Sequence, residues 1–335
     1  MTPEKRSRQI FIAEHEHELP YSKGLTASTL MVTGLGPGRS YAVANEVEKA
    51  LVEGDKGTVT EAELRDLTLE ILQREAGEPY VEAYIKWESV RRLDLPMIIL
   101  IGGTTGVGKS TIATQLASRL GITRVVSTDA VREVLRSAFT PEMFPTLYSS
   151  SFTAEEAVRQ PIPHSGDRLI IGFREQAAAV AVGAQALIDR AIAEGTDLIL
   201  EGAHLVPGFL EGVDTDKAVI VSLLLVVDDE DLHRSHFHWR SRDARPKDRY
   251  LKNFKKIRRI QKYMMTSALM RGVPTISHVS LDRTLMEIID RILETISDRI
   301  EQGGVVVERD EVLERAVEVV GKKKNEGSAT REAVP

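Results

Sequence analysis

Near residue 95 the period of the hydrophobic pattern changes. From Leu19 to Arg92 apolar residues recur at i, i+3 and i+4, which predicts amphipathic helices, two of them over 42–53 and 61–74. Thr60 with Glu63 has the form of a capping box ahead of the second. A loop at 34–38, Gly-Leu-Gly-Pro-Gly, ends the helix before them. Beyond residue 95 short, uninterrupted apolar runs take over, at 97–101, 124–127, 198–200 and 219–227. Such runs belong to strands buried on both faces of a parallel sheet. Helical stretches are predicted over 110–120, 130–138, 172–193 and 249–269, one more strand over 272–276 and a late helix over 285–300. Strands alternating with helices predict an α/β fold, a doubly wound parallel sheet with helices on both faces. Residues after Gly321 lack any period and are expected to be disordered. The expected organisation is a small helical domain over 1–92, an α/β domain over 93–305 and a C-terminal helix and tail over 306–335.

Directly after the first α/β strand stands Gly-Thr-Thr-Gly-Val-Gly-Lys-Ser, residues 103–110, which fits G-x-x-x-x-G-K-[ST] at every position. Such a loop turns its backbone N–H groups toward an anion, and the helix behind it adds partial positive charge. Gly103, Thr104, Thr105, Gly106, Val107, Gly108, Lys109, Ser110 and Thr111 are therefore the expected nucleotide contacts. Lys109 would reach the β- and γ-phosphates of a nucleoside triphosphate, Ser110 a Mg²⁺ ion, and Thr111 the α-phosphate, with hydrolysis, transfer or binding alone left open.

The second strand ends in Ser127-Thr128-Asp129, with Arg132 one helical turn on. In a doubly wound sheet this tip faces the same crevice as the phosphate loop. Asp129 is a candidate general base or holder of a magnesium water, or else the N-cap of a helix starting at Ala130; Arg132 is a candidate grip for a substrate phosphate or carboxylate. The third strand ends in Glu201-Gly202-Ala203-His204. Glu201 suits a magnesium or substrate contact beside a glycine that lets a ligand approach, or a buried carboxylate satisfied by backbone. His204 is a substrate-binding candidate or a hydrogen-bonded core residue.

Composition narrows the classes. The chain has 335 residues, suited to about two domains, and no cysteine, which removes disulfides, thiolate metal sites and a cysteine nucleophile. Its first eight residues are charged, with no apolar stretch behind them, and the longest apolar run, 177–188, is too short to span a bilayer. A cytoplasmic protein without membrane contact is expected. Net charge is −6, against general nucleic-acid binding. Yet between His233 and Lys262 stand twelve Lys/Arg and only two acids, Asp243 and Asp248. Arg234, Arg240, Arg242 and Arg245 are the expected members of a lid closing on transferring phosphates; Lys255, Lys256, Arg258 and Arg259 read as a solvated helix face.

With these residues in place, the chain from Pro96 to about Arg299 resembles the 2-phosphoglycerate kinase family. The resemblance rests on 102–111, Ser127-Thr128-Asp129 with Arg132-Glu133, the Glu-Gly-Ala-His-Leu-Val-Pro-Gly segment 201–208, 234–240 and 258–261. It implies transfer of the γ-phosphoryl of ATP to the hydroxyl of 2-phosphoglycerate, giving 2,3-diphosphoglycerate and ADP. Lys109, Asp129, Arg132, Arg234 and Arg240 would be catalytic. Arg132, Ser150, Ser151, Glu201, His204 and Arg242 would meet the acceptor, and Ser110, Asp129 and Glu201 the metal. One departure is Tyr148, where the family pattern implies a histidine. Residues 8–92 resemble an ATP-cone module, on Pro20-Tyr21-Ser22-Lys23-Gly24-Leu25, 63–67 and 84–87, which implies a second, regulatory nucleotide with Lys23 as phosphate contact. A homo-oligomer stays open.

Overall fold

The computed structural model describes residues 10–301 except 15, 16, 55, 56, 92–94, 160, 162–165, 211–215 and 240–246. It divides into two compact units: the described residues before 94 together with those from Ile296 on, and the described residues of 94–295. The terminal segment expected to be a helix and disordered tail, 306–335, lies outside the described residues.

The first unit is not purely helical. Strands β1 (Phe11–Glu14), β2 (His17–Pro20) and β3 (Thr58–Thr60) form a small sheet in the order β2-β1-β3, with β1 antiparallel to β2 and parallel to β3. Strands of three or four residues complete too few periods to register against helical neighbours. The helices are α1 (Lys23–Met31), α2 (Pro37–Glu53), α3 (Glu61–Glu75) and α4 (Glu78–Arg91). Their apolar stripes meet in one core of Leu30, Leu35, Val43, Val47, Val59, Ile71 and Leu72. The loop at 34–38 starts α2, with Pro37 in its first turn. The capping box is formed: Glu63 N donates to Thr60 Oγ1 at 3.1 Å and Thr60 N to Glu63 Oε2 at 2.9 Å. Thr60→Ala is expected to lower the urea-unfolding free energy by about 1 kcal/mol; an unchanged midpoint would remove the box from the stability of α3. Lys23 is committed to Glu48 of α2 at 3.0 Å, so its charge already has a partner.

The second unit is the doubly wound sheet. Strands β4 (Met97–Gly102), β5 (Val125–Ser127), β6 (Leu198–Gly202), β7 (Val219–Val226) and β8 (Thr275–Ser277) are all parallel, in the order β5-β6-β4-β7-β8. Helices α5 (Lys109–Leu120), α6 (Thr128–Ala138), α7 (Arg168–Ala193), α8 (Glu230–Trp239), α9 (Lys247–Lys252), α10 (Phe254–Met270) and α11 (Leu281–Glu301) surround it. Ile98 and Leu100 face Ala184, Ile188 and Ala191 of α7, while α10 covers Leu224 and Val226 with Phe254, Ile257, Ile260 and Met264. Ile99 and Ile101 alternate to the opposite face, and α5, which buries Ile112 and Leu116, packs against β4, β5 and β6. Each such side chain contributes roughly 1.5–3 kcal/mol of burial.

Two boundaries differ from expectation. The stretch 249–269 breaks at Asn253, whose side-chain amide donates to Arg249 O at 2.9 Å and splits it into α9 and α10. Helix α6 starts at Thr128, with Ser127 as its N-cap accepting from Ala130 N. Asp129 is thus in the first turn and is not the cap. Among the described residues no helix is long and apolar enough to cross a membrane.

Candidate active site

The central strand β4 delivers its end into the phosphate loop. Gly103, Gly106 and Gly108 all have positive φ. At Gly106, φ +92°, an added Cβ would lie 2.4 Å from Phe237 and 3.0 Å from His233 Nε2, so only glycine fits above α8. Val107 is buried and plugs the loop, Thr104 is buried with no partner for its hydroxyl, and Thr105 is half-buried. Lys109 begins α5, buried, and its Nζ donates to Thr104 O at 2.8 Å, folded back over the loop it would serve. Ser110 and Thr111 lie in the exposed first turn of α5.

Two histidines of α8 hold the loop from below. His233 Nε2 donates to Thr105 O at 3.0 Å and His236 Nδ1 to Gly106 O at 2.9 Å. Burial pushes the His233 pKa down to about 4, opposed by its bond to Thr105, and burial lowers that of His278, whose ring lies against Gly108. An unfolded histidine binds protons below about pH 6.5 that folded His233 refuses until about 4, so folding loses stability as pH falls across that window. The expected loss is about 1.4 kcal/mol per pH unit within it. Urea unfolding at pH 7 and pH 5 measures the fall, which should flatten in His233→Gln; equal slopes would contradict it.

Beside the loop stands the tip of β6. Ser110 Oγ donates to Glu201 Oε1 at 2.8 Å, so the buried Glu201 is satisfied by the loop's own serine. Two hard oxygens at this point suit Mg²⁺, which takes oxygen ligands and shares its shell with water and substrate phosphates. Among the described residues no cluster of three or more histidines or acids is placed to hold a metal. Gly202 is open for a different reason than expected: an added Cβ would sit 1.7 Å from Thr128 Oγ1, so the glycine admits Thr128 and not a ligand.

His204 lies behind this tip and is wired into the protein. Gln176 Nε2 donates to Thr146 O at 2.5 Å and Ser149 O at 2.9 Å, which turns Gln176 Oε1 toward His204 Nε2 at 3.2 Å. That oxygen must accept, so Nε2 carries the proton, and Nδ1 accepts from Thr128 Oγ1 at 2.8 Å. Burial holds the His204 pKa well below the usual range, with Asp129 opposing. Both ring nitrogens are occupied, so His204 does not offer the substrate contact expected of it; it positions Thr128 and Gln176.

Asp129 is 63% exposed at the mouth of the crevice, 3.8 Å from Arg132 Nε. Arg132 itself is turned inward: its Nη1 donates to Leu147 O and to Ser149 O at 2.6 Å, and its side chain is only 16% exposed. It supports the segment 145–151 from beneath. Ser150 and Ser151 are half-buried on that segment. Tyr148 points away from the crevice, its hydroxyl near Arg136 O and Phe139 O at the end of α6. At the place where the family pattern departs, the hydroxyl is thus engaged by backbone carbonyls of α6 and its C-terminal end.

Of the basic stretch, the described residues show these contacts. Arg234 stacks on Phe254 at 4.0 Å from the ring centroid. Arg258 is no solvated charge: it donates to Val227 O and Asp228 O at the end of β7. Lys256 pairs with Glu155 and Arg259 with Asp167. Arg240, Arg242 and Arg245 lie outside the described residues.

No protein-family model matches the chain. It is 38% identical over 279 residues to the 2-phosphoglycerate kinase of Methanothermobacter thermautotrophicus, across 82% of this chain and 91% of that one. To the 2-phosphoglycerate kinase of Pyrococcus furiosus it is 38% identical over 288 residues, 86% and 94% of the two chains. To that of Pyrococcus horikoshii it is 39% identical over 279 residues, 82% and 90%. The chain belongs to the 2-phosphoglycerate kinase family. A shikimate kinase structure from Acinetobacter baumannii is similar at 18% identity and a TM-score of 0.37, over 63% of this chain and 98% of that one, too loose a likeness to argue from.

In this member of the 2-phosphoglycerate kinase family, sequence reasoning overlooked the supporting roles of His233, His236 and Gln176. Signals for them exist. His233, His236 and Phe237 follow the i, i+3, i+4 spacing of one helix face. Gln176 occupies a core position between Phe173, Ala177 and Val180 of α7, and a polar residue there demands partners.

Proposed function

We propose that the protein transfers the γ-phosphoryl group of ATP to the free hydroxyl of 2-phosphoglycerate, giving 2,3-diphosphoglycerate and ADP. The observation that carries the transfer chemistry is the Ser110–Glu201 contact, which joins the phosphate loop to the neighbouring strand tip. The acceptor follows from the printed names of the relatives. Lys109 swings its ammonium from Thr104 O onto the β- and γ-phosphate oxygens and stabilises charge during transfer. Ser110 Oγ and Glu201 are the residues that would hold Mg²⁺, which when bound supplies charge neutralisation of those oxygens. Asp129, exposed at the crevice, orients the acceptor hydroxyl and takes its proton. The new bond joins that oxygen to the γ-phosphorus as the bond to the β,γ-bridging oxygen breaks, and ADP leaves. Arg240 and Arg242 are assigned to the same developing charge. A cytoplasmic enzyme, a second nucleotide in the first unit and a homo-oligomer complete the reading; for the second nucleotide, the Lys23–Glu48 pair names Lys23 as a contact only if ATP displaces Glu48.

The test is ADP release with Mg-ATP and separate additions of 2-phosphoglycerate, 3-phosphoglycerate, glycerate and sugar phosphates, the product being identified by phosphorus NMR. Turnover confined to 2-phosphoglycerate is the expected result. Turnover of another acid and none of this one would keep the transfer and overturn the acceptor.

A further inference from the structure

The backbone of the segment 145–151 is fixed from below by two side chains. Its carbonyls at 146, 147 and 149 are taken by Gln176 and Arg132. Its Ser150 hydroxyl instead receives Arg249 Nη2 at 2.7 Å. Arg249 differs from the other arginines that reach 145–158. Arg132 is turned to carbonyls, and Arg168 donates to Glu155 O and Val158 O. The Arg249 guanidinium is exposed, meets a neutral hydroxyl, and leans on the Phe152 ring at 5.7 Å.

Its place is set by an aromatic series running from the phosphate loop. Phe237 lies under Gly106, Tyr250 stacks on Phe237 at 5.2 Å with 10° between the planes, and Phe152 meets Tyr250 edge-on at 5.7 Å. Helix α9, which carries Tyr250, is thereby held between the phosphate loop and the segment 150–152. Arg249 precedes Tyr250 and follows it into that position.

We infer that Arg249, with the Ser150 hydroxyl, is the anion contact for the acceptor, taking its phosphate or its carboxylate. This rests on the kinase reading above and assigns to Arg249 the grip that the sequence suggested for Arg132. A guanidinium whose hydrogen bond among the described residues goes to a neutral hydroxyl can exchange that weak bond for a charge-assisted pair of bonds to an oxyanion. Lysine, a point charge, reproduces the attraction without the fork.

The experiment measures KM for acceptor and for ATP in the full chain for wild type, Arg249→Met, Arg249→Lys and Ser150→Ala. Arg249→Met should raise the acceptor KM at least about tenfold and leave the ATP KM within about twofold, with an unchanged melting temperature because the side chain is exposed. Arg249→Lys should recover part of the loss, and Ser150→Ala should show a smaller loss in the same direction. Inhibition constants for glycerol 2-phosphate and for glycerate then distinguish the group: the methionine penalty should persist only for the inhibitor that carries the contacted oxyanion. An acceptor KM unchanged in Arg249→Met, equal shifts in both KM values, or a penalty on neither inhibitor overturns the inference. Wild type silent on 2-phosphoglycerate would sink the acceptor reading alone, and the Arg249 contrast is then read on the acid that wild type phosphorylates.

Discussion

Lys109→Met should cut ADP release with Mg-ATP and 2-phosphoglycerate by about a hundred- to a thousandfold, the effect of losing one preorganised charged donor in a transferring-group site. The fold should stay intact. Methionine keeps most of the unbranched, buried stem, and what it loses is the ammonium that donates to Thr104 O. The melting temperature is therefore expected within a few degrees of wild type. ATP binding, followed by calorimetry, should weaken far less than turnover falls, because the loop N–H groups and the helix N-terminus still meet the phosphates. Retention of more than a tenth of wild-type turnover would take Lys109 out of the transfer step.

His204→Leu should act on stability before it acts on chemistry. Leucine leaves the Thr128 hydroxyl and Gln176 Oε1 without their partner, and both residues are fully buried. Unpaired buried polar groups cost about 1–3 kcal/mol each, so a total near 3 kcal/mol is expected, a fall of roughly 6–12 °C in melting temperature for a unit of this size. Below the melt, the acceptor KM should rise, since Gln176 then loses the partner that orients its grip on 146 and 149. His204→Asn, which can still exchange hydrogen bonds with Thr128 and Gln176, should lose less on both counts. A leucine variant as stable as wild type would mean that the buried relay contributes nothing.

The fold was legible where the sequence carried long signals. Apolar runs at 97–101, 198–200 and 219–227 became β4, β6 and β7, and the glycine-lysine spacing of 103–110 sits where β4 ends. What escaped was short or non-local. The sheet of the first unit is made of strands of three and four residues, and the break at Asn253 depends on one side-chain bond. Within the site, residue types identified candidates without telling which way they face. Arg132 and Arg249 are both arginines near the same segment; only their bonds, to carbonyls in one case and to a hydroxyl in the other, separate support from contact. His204 likewise reads as a ligand or a core residue until Gln176, 28 positions away, fixes its proton.

The register of β4 has a consequence for how the chain is made. Ile98 pairs with Leu198 on one side and Ile220 on the other. During synthesis at about 5–20 residues per second, the strand that carries the phosphate loop leaves the ribosome several seconds, up to some tens of seconds, before either partner exists. For that interval an unbroken apolar strand has two open edges. The nascent chain is then at its most vulnerable to sticking to its neighbours, and slower translation across 103–197 would lengthen the exposure.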